Sequence, residues 1–293
     1  MDDNTMECLR SWMEQNYLGA IQILFGVASP EDPVCELVRR LIAEFPKSDA
    51  QLVLCRENLG VNGKVSSLIQ MQRLAKHDVI IVSDGDVRVP RDFLTNAVAP
   101  LRDAEVGLVN CFYRLANPVN AAMRWEALAV NADFWSQVLQ GKDLAPLDFA
   151  LGAVMITRRE ELAKIDGFEA LADHLADDFQ LGNRVVRMTG KRIALCPVVV
   201  DCLSAPMNWS EAWVHQLRWA RTIRVSKPLP YAFSILSNPT FWPLLWALAL
   251  PSKWSLLTLA VCLLVRMISA QSLQTRLGAV AGQGKYFWLA PVK

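Results

Sequence analysis

Two aspartates, Asp84 and Asp86, follow directly on the apolar run VIIVS at residues 79–83. Such a run predicts a buried strand, and ligands of an α/β sheet bind beyond the carboxyl ends of its strands. Carboxylates are the hard oxygen ligands that Mg²⁺ and Mn²⁺ prefer, often shared with substrate phosphates. Asp84 and Asp86 are therefore candidate metal ligands. The spacing alone also fits a polar turn with two solvated acids.

A second acidic pair, Asp177 and Asp178, lies in the tetrapeptide ADDF at residues 176–179. The pattern predicts a helix that begins here and runs through residue 187. Acids at a helix N-terminus cap it and complement its dipole. That structural role competes with a functional one, more strongly for Asp177 than for Asp178.

A third group is the pentapeptide HQLRW at residues 215–219, within a predicted helix at 209–224. His215, Arg218 and Trp219 share one face of that helix because they are three and four residues apart. Residues 207–227 contain four basic residues against one acidic residue, Glu211. This cluster either marks the cytoplasmic side of a membrane or attracts lipid headgroups or a nucleotide diphosphate.

Strands and helices must position these groups, and the pattern predicts that they alternate. Strands are expected at residues 21–27, 50–55, 79–83, 105–111, 149–157 and 193–201, with helices at 34–45, about 63–75, 121–138, 159–163, 177–187 and 209–224. This alternation predicts an α/β fold with a parallel sheet covered by helices.

Several classes of protein are disfavoured. The sequence contains no G-x-G-x-x-G and no Walker A loop, which argues against dinucleotide and P-loop chemistry. The formal net charge of +1 gives no global basic field for nucleic acid. Seven cysteines form no CxxC pair and the three histidines are scattered. We expect reduced cysteines, mostly in the core, and no zinc site.

The C-terminal part predicts a membrane association. Hydrophobic residues make up 53% of the chain, and the mean hydropathy is +0.21. Residues 229–250 contain no charged side chain and are long enough to span a bilayer, although three prolines leave a re-entrant or interfacial segment possible. A second apolar stretch begins at Trp254. Arg266 within it either reaches an interface or faces protein.

Taken together, these segments resemble the ceramide glucosyltransferase family of inverting, membrane-bound glycosyltransferases, including its bacterial hopanoid-modifying relatives. The resemblance covers most of the chain and rests on the order of its motifs. They are Asp32 in SPEDP, Asn62 and Lys64 in GVNGK, Asp84 in VSDGDVRVP, Gly152 in ALGAVM, Asp178 in ADDF and HQLRW.

The resemblance implies a GT-A-like, mostly parallel sheet that binds a nucleotide sugar, with C-terminal membrane helices. It implies that Asp32, Asn62 and Lys64 contact the donor nucleotide and that Gly152 and Asp177 line the substrate site. Asp84 matches the family's second aspartate, whereas Asp86 completes Asp-x-Asp only in some members. Asp178 matches the presumed general base.

The same resemblance predicts the reaction and its participants. A sugar, glucose or N-acetylglucosamine, moves from a UDP-sugar to a membrane lipid hydroxyl with inversion, assisted by Mg²⁺ or Mn²⁺. His215, Arg218 and Trp219 complete the site, with Trp219 also a candidate interfacial anchor. Alternatives are a processive polysaccharide synthase and an inactive remnant that binds nucleotide. We expect no nucleic-acid partner, and the oligomeric state stays open.

Three departures from the family pattern have consequences. His215 replaces the arginine or glutamine that opens the Arg/Gln-x-x-Arg-Trp motif. The family's N-terminal membrane helix and first strand do not precede Met1, and its usual last membrane segment does not follow Lys293. We therefore expect a fragment or a mis-started reading frame, with a central strand missing beside residues 79–83.

The expected organisation is a catalytic domain at 1–204, an interfacial basic and aromatic helix at 205–227, and membrane-associated helices at 228–293. The expected location is a membrane, the bacterial inner membrane, with the catalytic domain on its cytoplasmic side.

Overall fold

The computed structural model describes residues 3–278 and 289–290. The chain forms two compact units. Unit 1 comprises Met1–Tyr113 and Leu144–Ala205, and unit 2 comprises Arg114–Asp143 and Pro206–Lys293. The predicted boundary at 204 falls at the end of unit 1, but the sequence did not indicate that residues 114–143 group with the C-terminal part.

Helices and strands alternate along most of the chain. The strands are β1 (Gln22–Val27), β2 (Asp49–Leu54), β3 (Val79–Ser83), β4 (Val87–Arg88), β5 (Val106–Leu115), β6 (Val154–Arg158) and β7 (Arg192–Cys202). The helices are α1 (Asp3–Met13), α2 (Val34–Glu44), α3 (Gly63–Gln72), α4 (Phe93–Val98), α5 (Ala121–Leu128), α6 (Trp135–Leu144), α7 (Arg159–Lys164), α8 (Asp177–Thr189), α9 (Trp209–Ser226), α10 (Pro228–Phe233), α11 (Phe241–Ala249) and α12 (Lys253–Arg276).

The strands form two sheets. β1 and β2 pair in parallel, with Gln22 opposite Asp49. The second sheet has the order β3-β6-β5-β7-β4. In it, β6 runs antiparallel to both β3 and β5, so β3 and β5 point the same way. The α/β class predicted from the alternation is confirmed, and the reversal of β6 is the feature that the apolar pattern did not reveal.

β3 is the edge strand of its sheet in the described part of the chain. A cleft of about 790 Å³ is lined by all six residues of β1 and, from β3, by Val79, Ile81 and Ser83. The cleft also reaches Lys64 and Asp84. The polar site therefore lies where this apolar cleft meets the end of β3.

The core of unit 1 follows from the spacing of apolar residues. On α2, Cys35, Leu37, Val38 and Leu41 are buried, as expected for one face of a helix. Leu37, Val38 and Leu41 pack with residues of α1 and β1, among them Leu9 and Phe25. All seven cysteines are free and six are buried, so the prediction that most of them lie in the core is confirmed.

In unit 2, α5 continues through a π-helical segment, Ala129–Phe134, into α6. A π-helical turn adds a residue to the helix and is frequent at functional sites. Leu128 and Ala132 from this region pack against Ala270 of α12 and Ala290. The small residues allow α12 to approach the π-helical segment closely.

Two sequence-based expectations are wrong in detail. Residues 149–153 precede β6 rather than forming part of it, so Gly152 lies in a loop. Residues 229–250 do not form one spanning helix, because α10, a short 3₁₀ turn and the nine-residue α11 divide them. α12 is the one helix of the described residues that is long and apolar enough to cross a membrane.

Candidate active site

The centre of the candidate site in unit 1 is an ion pair between Lys64 and Asp84. Nζ of Lys64 lies 2.6 Å from Oδ1 of Asp84 and 3.5 Å from Oδ2 of Asp177. Lys64 belongs to the first turn of α3, and Asp84 directly follows β3. The structure therefore brings the predicted lysine together with one aspartate from each acidic pair.

Asn62 joins the two helix N-termini that carry these groups. Its Oδ1 accepts hydrogen bonds from the backbone N–H groups of Lys64 and Val65, which caps α3. Its Nδ2 donates to the carbonyl oxygen of His174 at 2.8 Å and to Oδ1 of Asp177 at 3.4 Å. An asparagine suits this position because it has both an acceptor and two donors.

Asp178 approaches the loop before β6 very closely. A Cβ placed at Gly152 would stand 3.0 Å from Oδ2 of Asp178, so a larger residue there would displace the carboxylate. The backbone N–H of Phe179 donates to Oδ1 of Asp178 at 2.7 Å. Gly152 and Asp178, which come from two separate motifs of the sequence, are thus in steric contact.

The charges of the cluster shift two pKa values in directions that matter for chemistry. Burial raises the pKa of Asp178, the neighbouring Asp177 and Asp84 add to this, and Lys64 opposes it. Burial works against the charged form of Lys64, but Asp84, Asp177 and Asp178 together outweigh burial and raise its pKa. Asp178 is consequently a stronger base than an ordinary aspartate, and Lys64 stays cationic.

Tyr113 is a member of this environment that the sequence did not single out. The side chain is buried, and burial raises the pKa of its hydroxyl well above the usual range, with further contributions from Cys202, Asp178 and Asp84. Tyr113 lies in β5 as one apolar residue among several, so its pattern gives no signal. Only the fold places it near the carboxylates.

The carboxylates suit a divalent cation by chemistry. Oδ2 of Asp177 is buried and makes no hydrogen bond within the described residues, and Asp84 and Asp86 add hard oxygen donors. Asp86 itself is fixed through its backbone carbonyl, which accepts from Leu203 N–H at 2.9 Å. No group of three or more potential ligands is preassembled in the described part of the chain, and Lys64 engages Asp84.

Asp32 has a local structural role. Its Oδ1 accepts a hydrogen bond from the backbone N–H of Val34 at 2.9 Å, where α2 begins. This Asx-type bond orders the turn after β1. The contact with a donor nucleotide, which the resemblance implies for Asp32, stays a prediction.

The HQLRW motif lies on α9 in unit 2, and its members have different surroundings. Nδ1 of His215 contacts Oε1 of Glu126 on α5. The Trp219 ring lies 5.5 Å from the His215 ring and 6.0 Å from that of Phe134. Arg218 is exposed. His215 and Trp219 therefore pack on the α5 and π-helical region, while Arg218 faces solvent.

α9 is held at its start by two asparagines. Asn208 and Glu211 form a capping box at its N-terminus, a sequence signal of the form N-x-x-E. Nδ2 of Asn120 donates to the carbonyl oxygen of Met207 at 2.9 Å. These bonds fix the start of α9 against the start of α5, and the motif begins nearly two helical turns later.

Arg266 faces protein, which resolves the alternative left open by its sequence position. Its Nη2 lies 3.0 Å from Oδ2 of Asp133, and its Nη1 donates to Thr240. The side chain of Arg266 is only 9% exposed. The charge in the middle of α12 is thus neutralised by the π-helical segment.

The fold is that of the GT-A-like glycosyltransferases. The chain is similar to a mannosyltransferase from Pyrobaculum calidifontis, solved in complex with GDP-Man and Mn²⁺. The TM-score is 0.56 at 23% sequence identity, covering 99% of this chain and 80% of that one. At this identity the similarity establishes the fold alone.

The family follows from the sequence comparison. The model of glycosyl transferase family 21 matches residues 1–293, and the chain belongs to this family. It is 33% identical over 112 residues to a ceramide glucosyltransferase of Candida albicans, and 24% identical over 187 residues to ceramide glucosyltransferase 3 of Caenorhabditis elegans. These matches cover 34% and 63% of this chain but only 21% and 40% of the relatives' own lengths.

Proposed function

We propose that this protein transfers a sugar from a nucleotide-sugar donor, a UDP-sugar, to the hydroxyl of a membrane lipid with inversion. The observation that carries the proposal is the cluster of Lys64 with Asp84, Asp177 and Asp178. A single lysine there faces two carboxylates directly, and burial raises the pKa of Asp178. Membership of family 21 and the similarity to ceramide glucosyltransferases support the choice of reaction.

The chemistry assigned to Asp178 is general-base catalysis. Its carboxylate takes the proton of the acceptor hydroxyl while the hydroxyl oxygen forms a bond to the anomeric carbon. The bond between that carbon and the diphosphate breaks, and the nucleoside diphosphate leaves with the electron pair. Attack opposite to the leaving group inverts the configuration. The raised pKa of Asp178 strengthens the base for this step.

Lys64 and a divalent cation neutralise the negative charge of the diphosphate in this proposal. Lys64 supplies a compact positive charge for phosphate, and the pKa of Lys64 is raised so that it stays charged. Asp84 and Asp86 would hold Mg²⁺ or Mn²⁺, which supplies charge neutralisation to a leaving diphosphate when bound. The similar mannosyltransferase was solved with Mn²⁺ and GDP-Man, which supports the choice of ion.

The motif of α9 adds a second set of proposed substrate contacts. Arg218 is exposed and has no ion pair among the described residues, so its guanidinium is available for a phosphate. His215 is assigned the same anion-binding role. We assign Trp219 to the wall of the site, where its ring excludes water.

The lipid acceptor is inferred from the apolar surface of unit 2. α11 is about 14 Å long at 1.5 Å per residue, too short to cross a bilayer core of about 30 Å. α12 meets the length, and exposed leucines and valines follow its first half. We assign α10 and α11 to the interface and α12 to the membrane, with the basic face of α9 on the cytoplasmic side.

The experiment that tests this proposal supplies the full chain in nanodiscs with radiolabelled UDP-glucose, UDP-N-acetylglucosamine or GDP-mannose, with and without Mn²⁺ or Mg²⁺. The discs contain ceramide, diacylglycerol or a hopanoid alcohol. We expect labelled glycolipid with one UDP-sugar, lost in Asp178→Asn. The exposed Asp143 provides the matched control, since Asp143→Asn removes a carboxylate outside the cluster.

Other outcomes replace the proposal with a definite alternative. Transfer from GDP-mannose alone would overturn the choice of UDP-sugar. A long labelled polymer would indicate a processive synthase. Donor binding measured by calorimetry, with no transfer and no change in Asp178→Asn, would indicate a nucleotide-binding protein without catalysis.

A further inference from the structure

The feature behind this inference is a buried asparagine in the middle of β5. Asn110 is 0% exposed, among residues of β5 that are mostly apolar. Its Oδ1 accepts a hydrogen bond from the backbone N–H of Leu151 at 3.1 Å, and its Nδ2 donates to the backbone carbonyl of Phe149 at 3.4 Å. Both polar groups of the side chain therefore bind one loop, residues 149–153, which precedes β6.

The place of Asn110 in the sheet explains why an amide is needed there. The antiparallel pairing of β5 with β6 runs from Leu108 opposite Thr157 to Asn110 opposite Met155, and it ends where the loop begins. A carboxamide carries the same kinds of donor and acceptor as a peptide group, and buried backbone groups need such partners. Asn110 thus supplies the loop with the two hydrogen bonds that a paired strand would supply.

The same loop contacts both halves of the candidate site. The carbonyl oxygen of Ala153 accepts a hydrogen bond from the backbone N–H of Asp84 at 3.3 Å, directly after the last pair of β3 with β6. The preceding residue, Gly152, leaves room for the carboxylate of Asp178 only because it has no side chain. The loop is therefore a common support for Asp84, which follows β3, and for Asp178, which lies in the first turn of α8.

Helix α8 bounds the loop on its other side. A Cβ at Gly182 would stand 2.7 Å from Cα of Phe149, so the helix and the loop pack backbone against backbone at this point. Nδ2 of Asn183 donates to the carbonyl oxygen of Asp148 at 3.3 Å. Gly182 and Asp178 are four residues apart and share one face of α8. A displacement of the loop therefore acts on the helix face that carries Asp178.

We propose that Asn110 is a positioning residue that fixes the loop 149–153 and, through it, sets the place of Asp178 relative to Asp84. Asn110 is fully buried, so it acts through the loop and not by contact with a substrate. The consequence for catalysis rests on the proposed function, which takes Asp178 as the base and Asp84 as a ligand on the donor side. The placement itself rests on the hydrogen bonds of the loop.

The first test reads this placement without any reaction. Hydrogen exchange is followed amide by amide in the full chain and in Asn110→Leu, which keeps a branched side chain but removes both hydrogen bonds. We expect the amides of Leu151 and Asp84 to exchange up to about tenfold faster, as the loss of one hydrogen bond allows. Unchanged exchange at Asp84 would overturn the proposal, because the loop would then not depend on Asn110 for this contact.

Thr157→Val is the matched control for Asn110→Leu. Thr157 is 2% exposed, and its Oγ1 donates to the carbonyl oxygen of Gly107 at 2.7 Å. The variant therefore also removes a buried hydrogen bond between β6 and β5, at the end of the ladder away from the loop. We expect unchanged exchange at Asp84. Equally fast exchange at Asp84 in both variants would indicate a general loosening of the sheet and would refute the specific role of Asn110.

A second variant covers the case in which Asn110→Leu does not fold, which circular dichroism reports. Asn110→Ser also removes the amide but adds no bulk to the core. We expect it to accelerate exchange at Leu151 and Asp84 in the same way, and its failure to do so would count against the proposal as it would for Asn110→Leu.

Kinetics then test the consequence for sugar transfer. A misplacement of about 1 Å can cost on the order of 10²-fold in rate, and a loop still packed on α8 moves less, so we expect Asn110→Leu to lower kcat about tenfold. KM for the donor should change less, and Thr157→Val should keep its kcat. A lower melting temperature with unchanged kcat would mean that Asn110 is structural only. If the unmodified chain transfers no sugar, the proposed function fails, and the exchange at Asp84 still decides the placement.

Combination with Gly152→Ala tests whether the effect passes through the loop. Changes at independent sites multiply in their effect on rate, whereas changes within one contiguous unit do not. We expect the fall in kcat of Asn110→Leu/Gly152→Ala to be smaller than the product of the two single falls. Asn110→Leu/Gly141→Ala, with the second change outside the loop, should show the fall of Asn110→Leu alone. A simple product in the first combination would overturn the path through the loop.

Discussion

Gly152 lies so close to Asp178 that a Cβ at position 152 would stand 3.0 Å from Oδ2 of Asp178. Gly152 belongs to the loop before β6, and Asp178 to the first turn of α8. The absence of a side chain at one position therefore allows the carboxylate at the other. This gives the glycine of ALGAVM a physical role that does not depend on backbone conformation.

We expect Gly152→Ala to lower activity by displacing the carboxylate of Asp178. A misplacement of about 1 Å can cost on the order of 10²-fold in rate. The carboxylate of Asp178 needs to move by only a few tenths of an ångström, so we expect a several-fold fall in kcat with little change in melting temperature. The control is Gly141→Ala on α6, where a Cβ meets nothing within 4 Å. There alanine should stabilise the helix by about 0.5–1 kcal/mol. Equal activities of both variants would contradict the steric role.

Asp178→Asn should separate activity from stability. Loss of a general base costs on the order of 10²- to 10⁴-fold in kcat. The pKa of Asp178 is raised in the folded protein, chiefly by burial, so its ionisation disfavours the folded state above the usual aspartate pKa. The variant should therefore have a higher melting temperature than the unmodified protein at pH 7.5. This difference in melting temperature should shrink as pH falls towards 4.

The measurement is a pair of thermal melts at pH 7.5 and pH 4 beside single-turnover rates. If the variant is inactive but also less stable than the unmodified protein at pH 7.5, the role of Asp178 is mainly structural. The asparagine Oδ1 can still accept the hydrogen bond from Phe179 N–H. The comparison therefore tests the loss of the carboxylate charge rather than the loss of this hydrogen bond.

The α/β class and most element positions followed from the sequence because apolar periodicity is a local signal. β3 matches the expected residues 79–83, and the expected ends of α2 and β2 are displaced by one residue. The length of the strand at 149–157 was wrong because its first half is buried loop, which apolar content alone does not distinguish from strand. The break within residues 229–250 was indicated by its prolines.

The sequence indicated those residues of the candidate site whose chemistry follows from residue type. It did not indicate those that reach the site only through tertiary packing. Lys64, Asp84, Asp177 and Asp178 were chosen by type and order, and the structure assembles them. Glu126 and Tyr113 were missed because each lies in an apolar segment, and only tertiary contacts bring them to His215 and the carboxylates. The roles of Asp32, Asp86 and Arg218 stay predictions.

Lys64→Met should change the pH dependence of the reaction. Lys64 lowers the pKa of Asp178, so its removal should raise that pKa further and move the acidic limb of kcat/KM to higher pH. The raised pKa of Lys64 means that its own contribution to stability is complete at neutral pH and lost only as pH rises through that value. Activity at pH 7.5 should fall on the order of 10²-fold.

Lys76→Met is the matched control for Lys64→Met. Lys76 pairs with Asp49 at 2.7 Å on the surface, where an ion pair contributes little. We expect its pH profile to coincide with that of the unmodified protein. A shift of the acidic limb in both variants would point to a general change of charge rather than to the contact with Asp178.

The ion pair of Arg266 with Asp133 should couple α12 to the π-helical segment. Arg266→Met leaves Asp133, 28% exposed, without its partner, and we expect a loss of about 1–3 kcal/mol, below the usual cost of breaking a fully buried pair. Asp133→Asn/Arg266→Met should recover part of that loss, because no unpaired charge remains. Denaturation midpoints in detergent micelles would measure both, with the exposed Arg276 changed to Met as the control. Additive effects of the two single changes would mean that the pair does not hold α12 in place.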